Sequence, residues 1–223
     1  MNVLLFGATG MIGQSVLREC LRDPGVRRVT AVVRRPTGAS GAKLREIVQP
    51  GVTDLAGAGV DPREIDACFW CLGVSSAGMS EAEYTRVTHD LALDAARTLV
   101  RGNPAMAFVF VSGVGADSTE KGRVMWARVK GRAENAILAL GFAQAYAFRP
   151  AFVLPQHGIR SATRLYNLLY PIAKPLYPLL KRITPNGVAT GEEIGRAMIA
   201  AVRHGNPRPV IEGADIHRLA NLG

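Results

Sequence analysis

The chain has 223 residues and is 48% hydrophobic, enough to bury one sizeable core, so a single domain over 1–223 is expected. Its 27 basic and 18 acidic residues give a net charge of +9, but the basic residues are scattered and aromatics make up only 6%, so a solvated basic surface is expected and no nucleic-acid partner. No stretch has the apolar length of a membrane span, the start lacks a charged segment with a cleavage site, and three cysteines are too few for a disulfide framework; a cytoplasmic protein is expected.

Val3 to Phe6 is a short apolar run of the kind a buried central strand needs. Gly7, Gly10 and Gly13 follow at three-residue spacing and lead into a helical pattern carrying Val16, Leu17, Cys20 and Leu21. A glycine turn between strand and helix aims backbone N–H groups and the positive end of the helix dipole at one point. In this reading Gly7 makes the turn, Gly10 admits a pyrophosphate, and Gly13 lets the helix approach closely. Gly7-Ala-Thr-Gly-Met-Ile-Gly13 resembles the fingerprint of extended and atypical short-chain dehydrogenase/reductases. More narrowly, it is similar to NAD-dependent epimerase/dehydratases and to the Tat-interacting oxidoreductase-like NAD(P)-binding proteins. The resemblance implies that Gly7, Thr9, Gly10, Met11, Ile12 and Gly13 hold the dinucleotide.

A second strand is expected over Val29 to Val33, after the stop signal Asp23-Pro24-Gly25. A dinucleotide fold usually carries an acid about 20 residues beyond the glycines, for the adenosine ribose hydroxyls. This chain has Arg34 and Arg35, whose guanidinium groups suit a 2′-phosphate, so NADP(H) is preferred over NAD(H). The alternative is that they only cap a strand at the surface. Leu44 to Val48 is the third strand, and the resemblance implies an adenine contact at Asp54, with Leu55 beside it. Cys68 and Cys71 have C-x-x-C spacing inside Ala67–Leu72, the fourth strand, where residues three apart face opposite ways and cannot share a metal. Leu72 and Gly73 then open the loop that the resemblance places under the ribose and nicotinamide, followed by Val74-Ser75-Ser76.

Ser80 and Glu83 form a capping box at the head of a helix expected through Leu99, with Tyr84, Val87, Leu91, Ala95 and Leu99 as its inner stripe. His89 on this helix is as well explained by exposure as by function. Met106 to Val111 is the fifth strand, ending in Ser112-Gly-Val-Gly115; a helix follows from about Val124 to Leu140, then a sixth strand, Tyr146 to Phe148. Arg149-Pro150 resembles the segment after that strand in extended short-chain reductases. The alternation predicts an α/β, doubly wound parallel sheet, the Rossmann fold, and the resemblance implies a small C-terminal substrate or lid portion at 156–190. Thr190 and Glu193 cap a last helix to about Arg203, and Pro209 to Glu212 is a short strand.

The resembled reductases carry Tyr-x-x-x-Lys on the helix after the fifth strand, which places both side chains on one face. Here the pentad is Trp126-Ala-Arg-Val-Lys130: the lysine is in place, and the acid is an indole that donates hydrogen bonds but does not titrate. Ser112 stands near the serine position, which strand alignment puts closer to Gly113 or Val114. Lys130, Ser112 and Trp126 are the candidate catalytic residues; Tyr84, Ser75 and Ser76 are further hydroxyls nearby. Two functions follow: hydride transfer with a small carbonyl or related small-molecule substrate, or NADP(H) binding without turnover as a sensor or interaction protein. The stretch 164–183 combines Leu165, Leu168, Leu169, Ile172, Leu176, Leu179, Leu180 and Ile183 with Tyr166, Tyr170, Tyr177 and only positive charges. It suits a peripheral membrane contact, a lid over the cleft, or closure of the core. Oligomeric state is left open.

Overall fold

The apolar run after Met1 becomes β1 (Asn2–Phe6), in which Val3 to Phe6 are at most 1% exposed. A strand so fully buried needs partners on both edges and layers on both faces. β2 (Arg28–Val33) pairs with it on one edge and β4 (Ala67–Trp70) on the other. Beyond them lie β3 (Leu44–Val48), β5 (Ala107–Val111), β6 (Gln144–Arg149) and, last in the chain, β9 (Val210–Glu212). The computed structural model, which describes residues 1–51, 55, 57–159, 184 and 186–222, arranges them as a seven-stranded sheet in the order β3-β2-β1-β4-β5-β6-β9. Every pair is parallel. The order reverses between β1 and β4, so the crevice beyond their carboxyl ends is where an open α/β sheet takes a ligand. This is the Rossmann-type α/β fold that the sequence predicts.

Alternation along β1 divides the core. Val3 and Leu5 pack with Val16, Leu17 and Cys20 of α1 (Met11–Arg22) and with Ile194, Ala197 and Met198 of α5 (Gly191–His204). Leu4 and Phe6 pack on the other face, with Trp70 and Leu55, with Ala92, Ala95 and Leu99 of α3 (Leu91–Gly102), and with Ala133 and Ile137 of α4 (Met125–Leu138). Cys68 belongs to the second cluster and Cys71 packs against the first, so the two thiols lie on opposite faces.

Four features depart from the expected pattern. The helix after Ser80 is broken in type: α2 (Glu81–Thr85) passes through a π turn at Arg86–Asp90 before α3. The capping box does form, with Glu83 N–H donating to Ser80 Oγ at 3.3 Å and Ser80 N–H donating to Glu83 Oε2 at 2.9 Å. One extra residue in the turn rotates the stripe, so Thr88 is buried in place of Val87. β4 ends at Trp70, two residues short of the expected Leu72. β7 (Phe152–Leu154) and β8 (Val188–Thr190) form an unanticipated two-stranded parallel sheet, and α6 (Gly213–Ala220) follows β9. Of the portion 156–190 only the flanks are described, and the stretch 164–183 lies outside the described residues.

The carboxyl end of β6 is fixed by a buried ion pair. Glu134 of α4 is 1% exposed and accepts from Arg149 Nε at 3.0 Å and from its Nη2 at 2.5 Å. Arg149 also donates to Ser118 Oγ at 2.6 Å and to Glu212 at 3.2 Å, and the bonds to Glu134 hold its guanidinium even more firmly protonated than usual. Removing one partner leaves an uncompensated buried charge, which typically costs about 3–5 kcal/mol. Arg149→Met is therefore expected to lower stability by about 3 kcal/mol or more in urea unfolding, whereas Glu134→Leu combined with Arg149→Met should cost much less. Equal losses in the single and double variants would contradict this account of the pair.

Candidate functional site

The glycine turn closes over the end of β1. Gly7 has φ +77°, and a Cβ there would lie 2.5 Å from Cys71 C and Leu72 N, so only glycine lets the turn sit against the chain leaving β4. A Cβ on Gly13 would lie 2.0 Å from Gly7 O, which shows how tightly the first turn of α1 packs on the loop. Gly10 differs: its Cβ would meet only Gly7 O, at 3.3 Å, and open space otherwise. Gly10 is also the N-cap of α1, without a side-chain cap and with no acid in the first turn. First-turn amides such as those of Ile12 and Gly13 have no acceptor within the helix. The result is a glycine-floored, positively polarised cradle, the chemistry that fits a pyrophosphate. Thr9 is exposed at its lip, with its carbonyl held by Gln14 Nε2 at 2.9 Å, and Met11 and Ile12 are half-buried against the first core cluster.

On one side of this cradle, Arg34 and Arg35 follow β2 directly and are exposed, with neither a hydrogen bond nor an ion pair among the described residues. Leu55 is 2% exposed and belongs to the core beneath, while Asp54 lies outside the described residues. On the other side, Leu72 is half-buried against the second core cluster, and Gly73 is exposed with open space where its Cβ would stand.

The third wall comes from β5, its loop and α4. Ser112 ends β5 with its backbone N–H donating to Phe148 O at 2.7 Å; its Oγ is buried without a hydrogen-bond partner among the described residues. Gly113, next to it, again opens onto free space. The loop beyond is fixed by Asp117, whose carboxylate accepts from Thr119 Oγ1 and Gly122 N–H, both at 2.6 Å; these bonds hold its pKa below the usual carboxylate range. Gly131 lets α4 lie on this loop, since a Cβ there would be 1.8 Å from Asp117 O. Arg128 joins α4 to the neighbouring wall by donating to Glu81 of α2 at 2.7 Å. Trp126 and Lys130 thus stand one turn apart on a firmly held helix, with Trp126 packed where the Cβ of Gly115 would be 3.4 Å from its ring.

Lys130 points inward. Its Nζ lies 5.9 Å from the centre of the Phe110 ring on β5, and burial pulls its pKa down to about 8, opposed only by the negative charge of Glu134 one turn on. The other candidate proton donors are placed less favourably. Tyr84 is 2% exposed, and desolvation pushes its phenol up. Ser75 Oγ accepts from Ala77 N–H at 3.3 Å in an exposed turn, and Ser76 is half-buried. His89 is tied to Asp90 at 2.7 Å on the helix surface. Sequence reasoning missed the Glu134–Arg149 pair; the signal was present in Glu134 standing four residues past Lys130, on the same face.

No family model matches the chain. A mitochondrial fmp52 protein of Emericella nidulans is 33% identical over 162 residues, covering 70% of this chain and 68% of the relative. The mitochondrial fmp52-2 of Aspergillus oryzae is 28% identical over 224 residues, covering 96% and 95%. Among solved structures, MoeE5 in complex with UDP-glucose and NAD superposes with a TM-score of 0.64 at 19% identity, covering 100% of this chain and 82% of that one. WbmF of Bordetella bronchiseptica, in complex with NAD+, gives 0.67 at 16%, covering 99% and 77%. Both share the Rossmann-type α/β fold of this chain, and each holds NAD. The relatives also correct one expectation: they are mitochondrial proteins by name, which overturns the cytoplasmic assignment drawn from the start of the chain.

Lysine at position 130 has a lower pKa in the folded chain than its ordinary 10.5, so between about 8 and 10.5 the unfolded chain binds more protons than the folded one. Stability must then rise with pH across that window, and below it the folded state carries the cost of a buried charge. Lys130→Met is expected to melt higher than the unmutated protein well below pH 8, with the difference shrinking towards pH 10.5. A difference that does not change with pH would mean the amine is not desolvated.

Proposed function

The chain belongs to the family of the Fmp52 proteins, and from that premise we propose that it binds a nicotinamide dinucleotide, NADP(H) in preference to NAD(H), and works as an oxidoreductase. The observation that carries this reading is the open position at Gly10, at the head of α1 and above the β1–β4 switch point. The dinucleotide-bound structures of the same fold support it. The backbone of Gly7, Thr9, Gly10, Met11, Ile12 and Gly13 holds the pyrophosphate against the helix dipole. Arg34 and Arg35 take the adenosine 2′-phosphate. Leu72 and Gly73 border the inner ribose, where Lys130 donates to the hydroxyls, and Ser112 offers beside the nicotinamide a hydroxyl that has no hydrogen-bond partner among the described residues. When bound, the nicotinamide supplies or accepts a hydride. The chain's own part is to orient that ring on the glycine floor and to keep its reacting face towards the space walled by Trp126.

The preference follows from charge. Two exposed guanidinium groups at the end of β2, unpaired among the described residues, attract a 2′-phosphate, and no acid occupies that strand end to bind the free hydroxyl. NADPH is expected to bind at least about tenfold more tightly than NADH, a difference of about 1.4 kcal/mol. Substituting Arg34 and Arg35 by alanine together should remove the difference by weakening NADPH alone. Equal affinities for the two cofactors in the unmutated protein, measured by calorimetry, would overturn the NADP(H) assignment.

A further inference from the structure

The carboxyl ends of β5, β6 and β9 stand side by side in the sheet, away from the glycine turn at the end of β1. Across them lies a cavity of about 320 Å³, at the small end of the range of roughly 300–1,000 Å³ usual for small-molecule sites. Val114, two residues past Ser112, lines it together with Arg149, the last residue of β6, and Glu212, the last of β9. These walls are held in place. Val114 N–H donates to Pro150 O at 3.0 Å, which ties the loop after β5 to the end of β6. Glu134 fixes the Arg149 guanidinium from beneath, and Gly213 packs so closely that a Cβ there would lie 1.9 Å from Asn186 O. A cavity on such supports is preorganised.

Charges of both signs line this space: the guanidinium groups of Arg149 and Arg208 and the carboxylates of Glu212 and Asp215. Arg149 donates to Glu212 at 3.2 Å, and Arg208 Nε lies 4.0 Å from Asp215 Oδ2. Such pairing leaves capacity on both sides, because a guanidinium has five N–H donors and a carboxylate about four acceptor positions. An anion entering here meets both carboxylates, and a cation meets both guanidinium groups; like charges brought together at a binding surface are strongly unfavourable. A hydroxyl group donates and accepts at once, so a neutral ligand with several hydroxyls suits every charged wall. Val114 and Ala151 add apolar surface for ring C–H groups.

We propose that this cavity binds a neutral, polyhydroxylated ring. Glu212 and Asp215 accept from its hydroxyl groups, Arg149 and Arg208 donate to its oxygens, and Val114 covers part of its carbon face. Hydrogen bonds to charged partners are the stronger kind, which offsets the cost of stripping water from several hydroxyls. The occupant is the substrate in so far as the dinucleotide reading above holds, since Val114 lies two residues from the serine placed beside the nicotinamide. The binding site itself stands without that reading.

The probe is myo-inositol, a neutral cyclic polyol, titrated into the cofactor-free protein and followed by saturation-transfer NMR. Binding should be saturable. Quinate, an anionic cyclic polyol, and glucosamine, a cationic one, should each bind at least about tenfold more weakly, because each meets like charges on the wall. Ala214 and Glu212 line the cavity at exposed positions, so both can be changed without opening the core. Ala214→Trp fills the space and should abolish myo-inositol binding, and Glu212→Gln should weaken it by about tenfold, the scale of one hydrogen bond to a charged group. Circular dichroism checks the fold of both variants. Absent or unsaturable myo-inositol binding, tighter binding of quinate or glucosamine, or binding unchanged in both variants would overturn the proposal, even if calorimetry shows that NADPH binds well. Saturable myo-inositol binding without any NADPH binding would uphold the cavity as a polyol site and remove the dinucleotide reading instead.

Discussion

Everything at the ligand-facing edge of this protein depends on how closely the Gly7–Gly13 turn packs. Gly7 lies with positive φ against the chain leaving β4, and Gly13 brings the first turn of α1 down onto Gly7. Neither place has room for a single carbon. The two contacts fix the head of α1 directly over the end of β1, where the strand order reverses. The amides of the first turn then point into the crevice instead of into a side-chain cap. A helix placed two or three ångströms further out would leave the same amides to water.

The opposite wall is fixed by polar contacts. Asp117 closes the loop after β5 on itself, Gly131 lets α4 rest on that loop, and Arg149 joins Glu134 to Ser118 and Glu212. These contacts hold the helix that carries Trp126 and Lys130, so the residues facing the cleft sit on a rigid element. The same arrangement accounts for the low pKa of Lys130. Glu134 lies close enough to oppose the shift, but its carboxylate is already engaged by Arg149, and burial prevails.

Much of the fold was legible because the strands are short apolar runs separated by amphipathic stretches. β3 was expected over Leu44 to Val48 and is found there, and both capping boxes form. The turn from β1 into α1 was legible for a stronger reason: three glycines at that spacing have few other uses. The π turn at Arg86–Asp90 was not, because a one-residue insertion leaves residues on either side in good helical phase and only Thr88 betrays it. β7 and β8 escaped notice because each is three residues long and their pairing spans more than thirty residues. Lys130 and Trp126 could be located on one helix face, but the exposure of the valines at 74, 114 and 124 could not be read, because they look like ordinary core residues until the loops are placed. Compartment was misread because composition and the start of the chain carry little information about it, whereas the mitochondrial relatives carry it in their names.

The central claim is that the space above Gly10 receives a dinucleotide pyrophosphate. Gly10→Val tests it most directly, because a Cβ there meets only Gly7 O, at a tight 3.3 Å that asks a small shift of the turn, while the side chain fills the cradle. Calorimetric titration with NADPH is expected to show saturable binding to the unmutated protein and none to a Gly10→Val variant of matching circular dichroism. Undiminished NADPH binding by that variant, or its absence in the unmutated protein, would contradict the account.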